Sequence, residues 1–539
     1  MAEKFTIQIE SILGGHAPTT HFSAPGQFRA SMGIDPAQPI DDDNTQYSSI
    51  ASGLLRPSAS SSIGTTTSAS LWFVPNPKDA NVYVYDAQSS LHAVDSLVSG
   101  VTAIADAGEL SNGLGNGAEY YDNYIYLSKN TTVGRYGPLS TTPTMNGDYW
   151  VTTLAKTALT NTTYPTSYKN GLQLPNHVLK RHSDGKLYIA DVVGNTGTLH
   201  YIKTTKTTVE GDTNNGSTYD AVHVGYGLWP TAMESYGEEL AIAFYEGSVA
   251  NLRQARAKLA FWDTTSSNVN KLIWVEYPDQ IITAIKNVNG ILYVVSGNIQ
   301  TSGFRITSFQ GGYSFKEEFY SETGEPCLPG AVDALLNRFI FGTHTNVPET
   351  DGVVYSKGLQ KADLGGGMFG IMRATGSSTS TTVTAVCVAD NVSFSYNTPL
   401  IAQTTAGDGS TGATHPIVTQ GNEYNNAPSV FWSGMFRVGS RFKITKLKIP
   451  LGQEIGSGMI VTPTIYVDNG ASSFVGGSTD GLAIINNTNY TGKSMIVMKP
   501  SGVTGEYNFW LELRWTGSTL CTVALPITIE GEMYPNENE

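Results

Sequence analysis

The chain has 539 residues and a formal net charge of −14, with 46 acidic and 32 basic side chains. This length is several times that of an ordinary domain, so two or three domains are expected. The acidic balance argues against a surface that neutralises nucleic-acid phosphates or anionic lipids, which needs an excess of lysine and arginine, and it favours proteins as partners.

The composition predicts an all-β protein. Charged residues make up 14% of the chain, whereas glycine (57) and tyrosine (28) are abundant. Long solvated helices need more Glu, Lys, Ala and Leu than this, so we expect at most short helices, near residues 96–110 and 250–259. Three distant cysteines predict no disulfide framework. No apolar run suits a signal peptide or a membrane span, and we expect synthesis in a cytoplasm.

The N-terminal segment predicts a strand followed by an extended arm. The opening MAEKFTIQIE alternates like a strand, and the residues after it are rich in Gly, Pro, Ser, Thr and Asp without sustained periodicity. We therefore assign residues 1–65 to an arm. Its run of aspartates, Asp41 to Asp43, offers oxygen ligands for a cation, but a solvated turn is the preferred interpretation.

From about residue 66 a hairpin pattern recurs roughly every fifty residues. The clearest copies are HVLKRHSDGKLYIAD and ITAIKNVNGILYVVSG, whose Asp184-Gly185 and Asn289-Gly290 pairs supply the positive φ angles of tight turns. A third apolar strand often follows. Four-stranded repeats of this length predict a β-propeller of about seven blades over residues 66–435, with six or eight blades still open. The alternative is an irregular stack of antiparallel sheets.

Weaker copies of the hairpin lie around Asn81, Asn123, Gly237, Asn337 and Asn391.

The last hundred residues predict a second domain. A polar stretch near residues 406–426 interrupts the repeats, and strands then resume. Within EYNFWLELRW, Phe509, Leu511, Leu513 and Trp515 alternate with polar residues, which places one face of a strand in a core. Five or more such strands predict a β-sandwich over residues 436–539.

Few residues resemble a site of chemistry. His177, His182 and His200 flank one predicted hairpin and could approach each other around zinc, but no metal-ligand spacing supports this, and hydrogen-bonded strand histidines are favoured. His344 has no evident partner. The segment EGDTNNGSTYD, with Asp212 and Asn214, lacks the glycine and glutamate of a calcium loop.

Two glycine-rich segments, residues 365–370 and 407–412, lack the lysine of a phosphate loop and are interpreted as flexible loops. Glu234, Glu238 and Glu239 lie near one hairpin, and acidic residues on a turn are usually solvated. A carboxylate pair for glycoside hydrolysis stays open, because its members can come from different blades. We therefore predict no catalytic, cofactor-binding or metal-binding residue.

Aromatic side chains on the apolar strands are interpreted as packing between blades, with sugar stacking as the alternative. They are Trp72, Tyr83, Tyr124, Tyr188, Trp262 and Tyr293.

The chain as a whole resembles structural proteins of tailed bacteriophages. The likeness is carried by the opening FTIQIESILGGHAPTTHFSAPGQFRASMGIDP, by the tyrosine-rich repeats, and by the closing KITKLKIPLGQ to LPITIEGEM. It implies a virion tail component, a nozzle or a hub, with no enzymatic activity. Its partners would be further copies of itself, in a ring of about six around the DNA channel, and the adaptor or tube proteins of the tail.

Two other functions stay open. One is a receptor- or carbohydrate-binding module of the virion, since the loops of propellers and sandwiches suit such a role. The other is a polysaccharide-degrading enzyme, which the lack of a recognisable catalytic group disfavours.

Overall fold

The structure is a computed structural model. It describes residues 2–12, 14–17, 26–34, 54–55, 60–66, 70–77, 81–86, 90–94, 100–104, 117–128, 132–151, 167–168, 172–173, 178–193, 196–203, 222–226, 228–246, 255–265, 271–298, 303–322, 324–335, 338–343, 353–357, 368–373, 381–389, 399–405, 415–420, 429–452, 455–479, 481–490, 492–517, 519 and 521–534.

The chain is almost entirely β-strand, as predicted. The first strands are β1 (Glu3–Ile9), β2 (Gly15–His16), β3 (Gln27–Met32), β4 (Leu54–Leu55) and β5 (Ser60–Thr66). The strands that follow are β6 (Ser70–Pro75), β7 (Val82–Asp86), β8 (Leu91–Val94), β9 (Val101–Ala103), β10 (Ala118–Tyr121), β11 (Tyr124–Ser128), β12 (Thr132–Gly137), β13 (Thr144–Val151), β14 (Ser167–Tyr168), β15 (Leu172–Gln173), β16 (Val178–Arg181), β17 (Lys186–Val193), β18 (Thr196–Lys203), β19 (Val222–Tyr226), β20 (Leu228–Tyr236), β21 (Glu239–Glu246), β22 (Arg256–Trp262), β23 (Ile273–Glu276), β24 (Ile281–Val288), β25 (Ile291–Gly297), β26 (Phe304–Gln310), β27 (Phe315–Ser321), β28 (Val332–Leu335), β29 (Arg338–Gly342), β30 (Val353–Lys357), β31 (Met368–Arg373), β32 (Thr381–Val388), β33 (Pro399–Thr405) and β34 (His415–Gln420).

The last strands are β35 (Ser429–Ser433), β36 (Phe436–Arg437), β37 (Arg441–Pro450), β38 (Ile460–Val467), β39 (Ser472–Val475), β40 (Ile485–Asn486), β41 (Met495–Met498), β42 (Thr504–Gly505), β43 (Asn508–Thr516), β44 (Val523–Ala524) and β45 (Ile527–Tyr534). A single helical turn, α1 (Asn487–Tyr490), is the one α-helix in the described part of the chain. Near residue 256 the structure has strand β22 where a short helix was expected.

Seven four-stranded antiparallel sheets form a β-propeller. In chain order, blades 1 to 7 are β6–β9, β10–β13, β16–β19, β20–β23, β24–β27, β28–β31, and β32–β33–β34–β5. Their first strands, β6, β10, β16, β20, β24, β28 and β32, contact one another in that order, and β32 contacts β6. This closed ring confirms the predicted propeller of about seven blades.

Tight turns set the first hairpin of several blades. Gly185 (φ +80°) and Gly290 (φ +83°) hold the left-handed conformation expected from the Asp-Gly and Asn-Gly pairs, and a Cβ at either residue would meet nothing within 4 Å. Glycine is therefore required there by the backbone and not by packing. Asn123 (φ 69°) adopts the same left-handed conformation in the first turn of blade 2.

The propeller core lies between neighbouring blades. Tyr188 of blade 3 packs edge-on against Trp262 of blade 4, with ring centroids 5.4 Å apart, and both side chains are buried. Phe261 of blade 4 meets Phe309 of blade 5 in the same way at 5.5 Å. Large aromatic side chains thus fill the space between adjacent twisted sheets.

The C-terminal strands belong to two sheets outside the propeller, which confirms the predicted sandwich. One sheet has the order β1–β45–β37–β41, with β42 also paired to β37. The other has the order β2–β3–β35–β43–β38–β39, with β36 on β43 and β40 on β38. Phe5 of the first sheet contacts Phe509 of the second, with centroids 6.3 Å apart. The predicted core face of β43 is buried, but its other face is not in solvent as expected, because Trp510 and Glu512 are buried as well.

The structure corrects the predicted domain boundaries. By packing, residues 62–347 and 378–419 form one compact unit, and residues 1–61, 348–377 and 420–539 form the other. The assumed arm, residues 1–65, supplies β1 to the sandwich and β5 to blade 7, and β35 of the assumed propeller range 66–435 pairs with β43 of the sandwich. These pairings join distant parts of the chain, so no local pattern could show them.

Blades 6 and 7 pack closely at Gly342 of blade 6. A Cβ at this residue would overlap the side chain of Val383 on β32. Gly342→Ala is expected to lower the free energy of unfolding by about 1–3 kcal/mol, because a β-branched neighbour in a packed core has little room to move. Gly312→Ala, at a residue with nothing within 4 Å, is the matched control. Chemical denaturation of both variants checks this, and equal midpoints would contradict it.

Within the described residues, no helix has the length and apolarity needed to cross a membrane.

Candidate functional site in the propeller channel

The first strands of all seven blades surround a cavity of about 390 Å³. This is the size of pockets that bind small molecules. The strand β20 contributes Thr231, Ala232, Met233 and Glu234 to its wall, and the other first strands contribute their own residues. The channel of the propeller is therefore the candidate site.

One residue of each first strand occupies an equivalent place in this wall, and we call these seven residues the channel ring. They are Val74, Glu119, Lys180, Glu234, Lys286, Asp333 and Cys387. In blades 1, 4, 5 and 7 the ring residue lies three positions after a bulged residue of the first strand. In blades 2, 3 and 6 the ring residue pairs with a residue of the second strand, which is Tyr126, Tyr188 or Ile340, respectively.

The charges of the channel ring alternate along five successive blades, from Glu119 of blade 2 to Asp333 of blade 6. The Nζ of Lys180 lies 2.9 Å from an Oε of Glu234, which joins blades 3 and 4. The Nζ of Lys286 lies 2.6 Å from Oδ1 of Asp333, which joins blades 5 and 6. The side chains of these two carboxylates are only 10% and 15% exposed, so the pairs are shielded from solvent.

Asp333 is also held by the backbone. Its Oδ1 accepts a hydrogen bond from the N–H of Ala334 at 2.8 Å, and its Oδ2 accepts one from Val388 of blade 7 at 2.6 Å. Glu234 similarly accepts a hydrogen bond from the N–H of Ser235 at 3.0 Å. Charged acceptors make these hydrogen bonds stronger than neutral ones. The carboxylates of blades 4 and 6 are thus fixed in place.

Glu119 is the remaining carboxylate, and it makes no hydrogen bond or ion pair with any described residue. Burial raises the pKa of Glu119, and the positive charge of Lys180 only partly offsets that rise, while Glu234 adds to it. Burial disfavours the charged form of a carboxyl group unless a partner compensates. The channel ring therefore holds three acidic groups against two basic ones, with one acid left over.

The two lysines remain protonated despite their location. Burial alone would lower the pKa of Lys180, but Glu234 and Glu119 outweigh it and raise that pKa. In the same way, Asp333 and Glu234 overcome burial and raise the pKa of Lys286. Burial, with a further contribution from Asp333, raises the pKa of Cys387 well above its usual value, so this thiol stays protonated and is a poor nucleophile.

Two more features shape the cavity. The channel ring is uncharged in blades 7 and 1, at Cys387 and Val74, and blade 1 is the neighbour of blade 2, which carries Glu119. Thr231 of blade 4 is fully buried, and its hydroxyl has no hydrogen-bond partner among the described residues and no surface open to the cavity. The channel ring thus has one acidic residue without a partner among the described residues and two uncharged residues.

The residues singled out from sequence are only partly brought together. His182 is buried, and its Nδ1 lies 2.8 Å from Oγ of Ser235. This contact agrees with a hydrogen-bonded histidine at the end of a strand. The side chains of His177 and His200, and all of His344, lie outside the residues whose side chains the structure describes. In the described part of the chain, no three His, Cys, Asp or Glu side chains form a metal cluster.

The three glutamates of the β20–β21 hairpin occupy different surroundings. Glu238 is exposed on the turn, and Glu239 accepts a hydrogen bond from the hydroxyl of Tyr313 at 3.0 Å. Glu234 was expected to be solvated, but it is only 7% exposed, because it lies on the first strand in the wall of the channel.

Several other segments lie outside the described residues: Asp41 to Asp43, residues 210–220 with Asp212 and Asn214, residues 365–367 and residues 407–412. Residues 368–370, expected to be loop, belong to β31.

The six aromatic side chains named from the sequence pack between blades, as predicted. Tyr83, Tyr188 and Trp262 are buried, and Tyr293 stacks on Phe339 of the next blade at 4.9 Å. Trp72 and Tyr124 are partly buried against the cores between blades 1 and 2 and blades 2 and 3.

Sequence reasoning missed the channel ring, although the sequence contains its signal. When the five middle repeats are aligned by their turns, Glu119, Lys180, Glu234, Lys286 and Asp333 fall in one column on the first strand. A charged residue at a fixed place in an otherwise apolar strand indicates that this place faces a shared polar channel.

No protein-family model matches the chain, and no curated protein matches it either. The solved structures that match include a WD40 domain and a β-propeller domain. The WD40 domain of Pan2 from Neurospora crassa is 7% identical, with a TM-score of 0.40, and the match covers 67% of this chain and 95% of that domain. The β-propeller domain of Cps50 (Swd1) from Myceliophteria thermophila is 10% identical, with a TM-score of 0.38 and coverages of 66% and 99%. These likenesses concern the fold alone.

Proposed function

We propose that the chain is a non-enzymatic structural protein of a tailed-phage particle, a tail nozzle or hub that assembles into a homo-oligomeric ring around the DNA channel. Six copies, seated on an adaptor or tube protein, is the arrangement that the sequence resemblance implies. The proposal rests on that resemblance together with one observation on the sandwich, the distribution of its exposed apolar side chains.

Large apolar side chains that are exposed in the described part of the chain lie mostly on the sandwich. They are Ile460, Val475, Met495, Val497, Tyr507 and Tyr534, compared with Ile273 and Tyr313 on the propeller. Exposed apolar side chains that lie side by side mark surfaces that bind another protein, and Met495 and Val497 lie on the same face of one strand. The sandwich is therefore the part of the chain that this proposal assigns to assembly.

The strand β41 carries two of these exposed side chains. It is the last strand of its sheet, and no described strand pairs with its outer edge. Met495 and Val497 are each 46% exposed, while Ile496 and Met498 between and beside them are buried. Unpaired strand edges with apolar side chains readily pair with another chain.

We take the partner to be a second copy of this chain. Beside β41, strand β37 carries Lys446 and Lys448, which are about one third exposed and both form ion pairs with Glu530 of β45. The resemblance to tail proteins that form rings favours a second copy over a different partner. Contacts between unlike surfaces of identical copies generate closed rings.

The channel of a single propeller is not the DNA channel of this proposal. Its cavity of about 390 Å³ is of small-molecule size and its wall is crossed by ion pairs. DNA would pass through the space enclosed by several copies. An acidic ring repels DNA phosphates and releases no counterions, which suits passage rather than binding.

Replacing both exposed residues of β41 tests the assembly. Met495→Lys together with Val497→Lys is expected to weaken self-association at least tenfold, because two charges would have to be buried at the interface. The fold should persist, since both side chains point away from the core. Sedimentation velocity and electron microscopy of the purified full chain over a range of concentrations measure the result.

The matched control is Ile273→Lys, at an exposed apolar residue on the outer strand of blade 4. It should leave self-association unchanged. A wild-type chain that remains monomeric at high concentration, or a double variant that assembles normally, would contradict the proposed assembly. Release of reducing sugar from a cell-envelope polysaccharide would overturn its non-enzymatic character.

A further inference from the structure

The channel ring contains one acidic residue more than it can pair. Glu234 is paired with Lys180 at 2.9 Å and Asp333 with Lys286 at 2.6 Å, and both carboxylates also accept backbone hydrogen bonds. Glu119 makes neither kind of contact with any residue that the structure describes, and it is half-buried in the cavity wall. A shielded carboxyl group without a partner is most stable in its neutral form.

A proton on Glu119 balances the charges of the ring. With this carboxyl group neutral, the two other acidic residues face the two lysines, and every charge belongs to an ion pair. With it ionised, the ring carries a third negative charge against the same two positive ones. The remaining ring residues, Val74 and Cys387, carry no positive charge. The proton therefore completes the ring without any further ligand.

The strands packed against β10 bring few charges to Glu119. On one side, β6 of blade 1 contributes the uncharged Val74 to the ring, and within blade 2 the residue opposite Glu119 is Tyr126 of β11. On the other side, β16 of blade 3 contributes Lys180 and Arg181 to the cavity wall. Of these three neighbouring strands, only β16 brings positive charge to the wall.

Lys180 is the residue whose ion pair can change. It lies in the ring between Glu119 of blade 2 and Glu234 of blade 4, and its Nζ pairs with Glu234. Burial raises the pKa of Glu119, Lys180 offsets part of that rise, and Glu234 adds to it. Because Lys180 is held by Glu234, Glu119 gains only part of the stabilisation that a direct ion pair would give its charged form.

We propose that the channel ring is a proton-controlled switch, in which Glu119 keeps a proton beyond the pH at which an exposed glutamate loses it and competes with Glu234 for Lys180 once that proton is gone. The pair of Lys180 and Glu234 joins blades 3 and 4, whereas a pair of Lys180 and Glu119 would join blades 2 and 3. A rise in pH would thus move the ion pair from one blade contact to the next. The switch lies within one propeller and does not depend on the proposed self-assembly.

The proton on Glu119 also makes the stability of the protein depend on pH. A carboxyl group that binds its proton more tightly in the folded chain stabilises the fold fully below its unfolded pKa, and this stabilisation is lost as the pH rises through its folded pKa. Glu119→Gln keeps the shape of the side chain and has no proton to lose. It should equal the wild type in acid and be more stable in mildly alkaline solution, with an unfolding constant that diverges by up to tenfold per pH unit. Urea denaturation at several pH values measures this divergence, and parallel pH profiles would contradict it.

Infrared difference spectroscopy of the purified full chain observes the proton directly. The carbonyl stretching band of a protonated carboxyl group is assigned to Glu119 by its absence in Glu119→Gln and is followed as the pH rises. We expect its midpoint at least one pH unit above about 4.5, the ordinary pKa of a glutamate. A midpoint within half a unit of that value, or a spectrum that Glu119→Gln leaves unchanged, would overturn the proposal.

Glu234→Gln tests the competition for Lys180. The change removes the charge that holds Lys180 and that helps to raise the pKa of Glu119, so the Glu119 band should disappear about one pH unit lower than in the wild type. Glu238→Gln, at an exposed carboxylate on the turn of the same hairpin, is the matched control and should leave the midpoint unchanged. Melting curves verify that the variants are folded. An unchanged or higher midpoint in Glu234→Gln would show that the two glutamates do not compete for Lys180.

Discussion

Replacing Asp333 by alanine is expected to lower the free energy of unfolding by about 3 kcal/mol. The change removes the ion-pair partner of Lys286 and leaves the N–H groups of Ala334 and Val388 without their acceptor. Because the side chain of Lys286 is only 27% exposed, water compensates its charge incompletely. Blade 6 would also lose one of its hydrogen bonds to blade 7.

A double-mutant cycle isolates the ion pair from the backbone hydrogen bonds. Lys286→Met removes the charge and keeps most of the side-chain volume, and it is then combined with Asp333→Ala. The double variant should be more stable than the sum of the two single changes predicts, since no buried charge is left unpaired. Urea denaturation gives the three differences. If the two single changes in the free energy of unfolding add up to that of the double variant, the 2.6 Å ion pair between Lys286 and Asp333 contributes no stability of its own.

The repeated part of the fold could be predicted from the sequence because its information is local. Asp184-Gly185 and Asn289-Gly290 specify turns, and the apolar strands on either side specify hairpins. Seven copies of one local unit then leave few architectures other than a propeller. The buried aromatic residues followed from the same reasoning, since Tyr188 and Trp262 lie on strands with no polar alternation.

Blade closure and domain boundaries could not be predicted, because both depend on pairing between distant residues. Thr66 of β5 donates a side-chain hydrogen bond to the carbonyl oxygen of His415, 349 residues later. In the sequence, the residues before β5 are rich in Gly, Ser and Thr, which is equally typical of an arm. The strand pairing in the structure is what shows that β5 is the outer strand of blade 7.

The candidate site was hidden for a different reason. Glu119, Lys180 and Lys286 are single charged residues in separate hairpins, and each alone is typical of a solvated strand end. They become neighbours only in the closed ring, where the first strands of adjacent blades contact one another. Function in a repeat protein can thus be spread one residue per repeat, and a search for compact motifs does not detect it.

Replacing Ile9 by alanine is the second change with a large expected effect, about 3 kcal/mol in the stability of the sandwich. Ile9 is 8% exposed and lies opposite Ile527 at the end of β1. The same strand places Phe5 against Phe442 and Phe509, with centroids 6.4 Å and 6.3 Å away, so β1 covers part of the sandwich core. A cavity at Ile9 would loosen β1 along its full pairing with β45.

Hydrogen exchange measured by mass spectrometry gives a local test of this effect. In Ile9→Ala, amides of β45 and of its other neighbour β37 should exchange faster, because opening of β1 exposes the edge of β45. Thr6→Ala, at an exposed side chain of the same strand, is the matched control and should change stability by less than about 0.5 kcal/mol. If Ile9→Ala behaves like Thr6→Ala, β1 does not support the sandwich, and the N-terminal segment is the arm that its sequence predicts. If the exchange of β45 rises only in Ile9→Ala, the two ends of the chain stabilise one sandwich together, and the surface proposed for assembly depends on both of them.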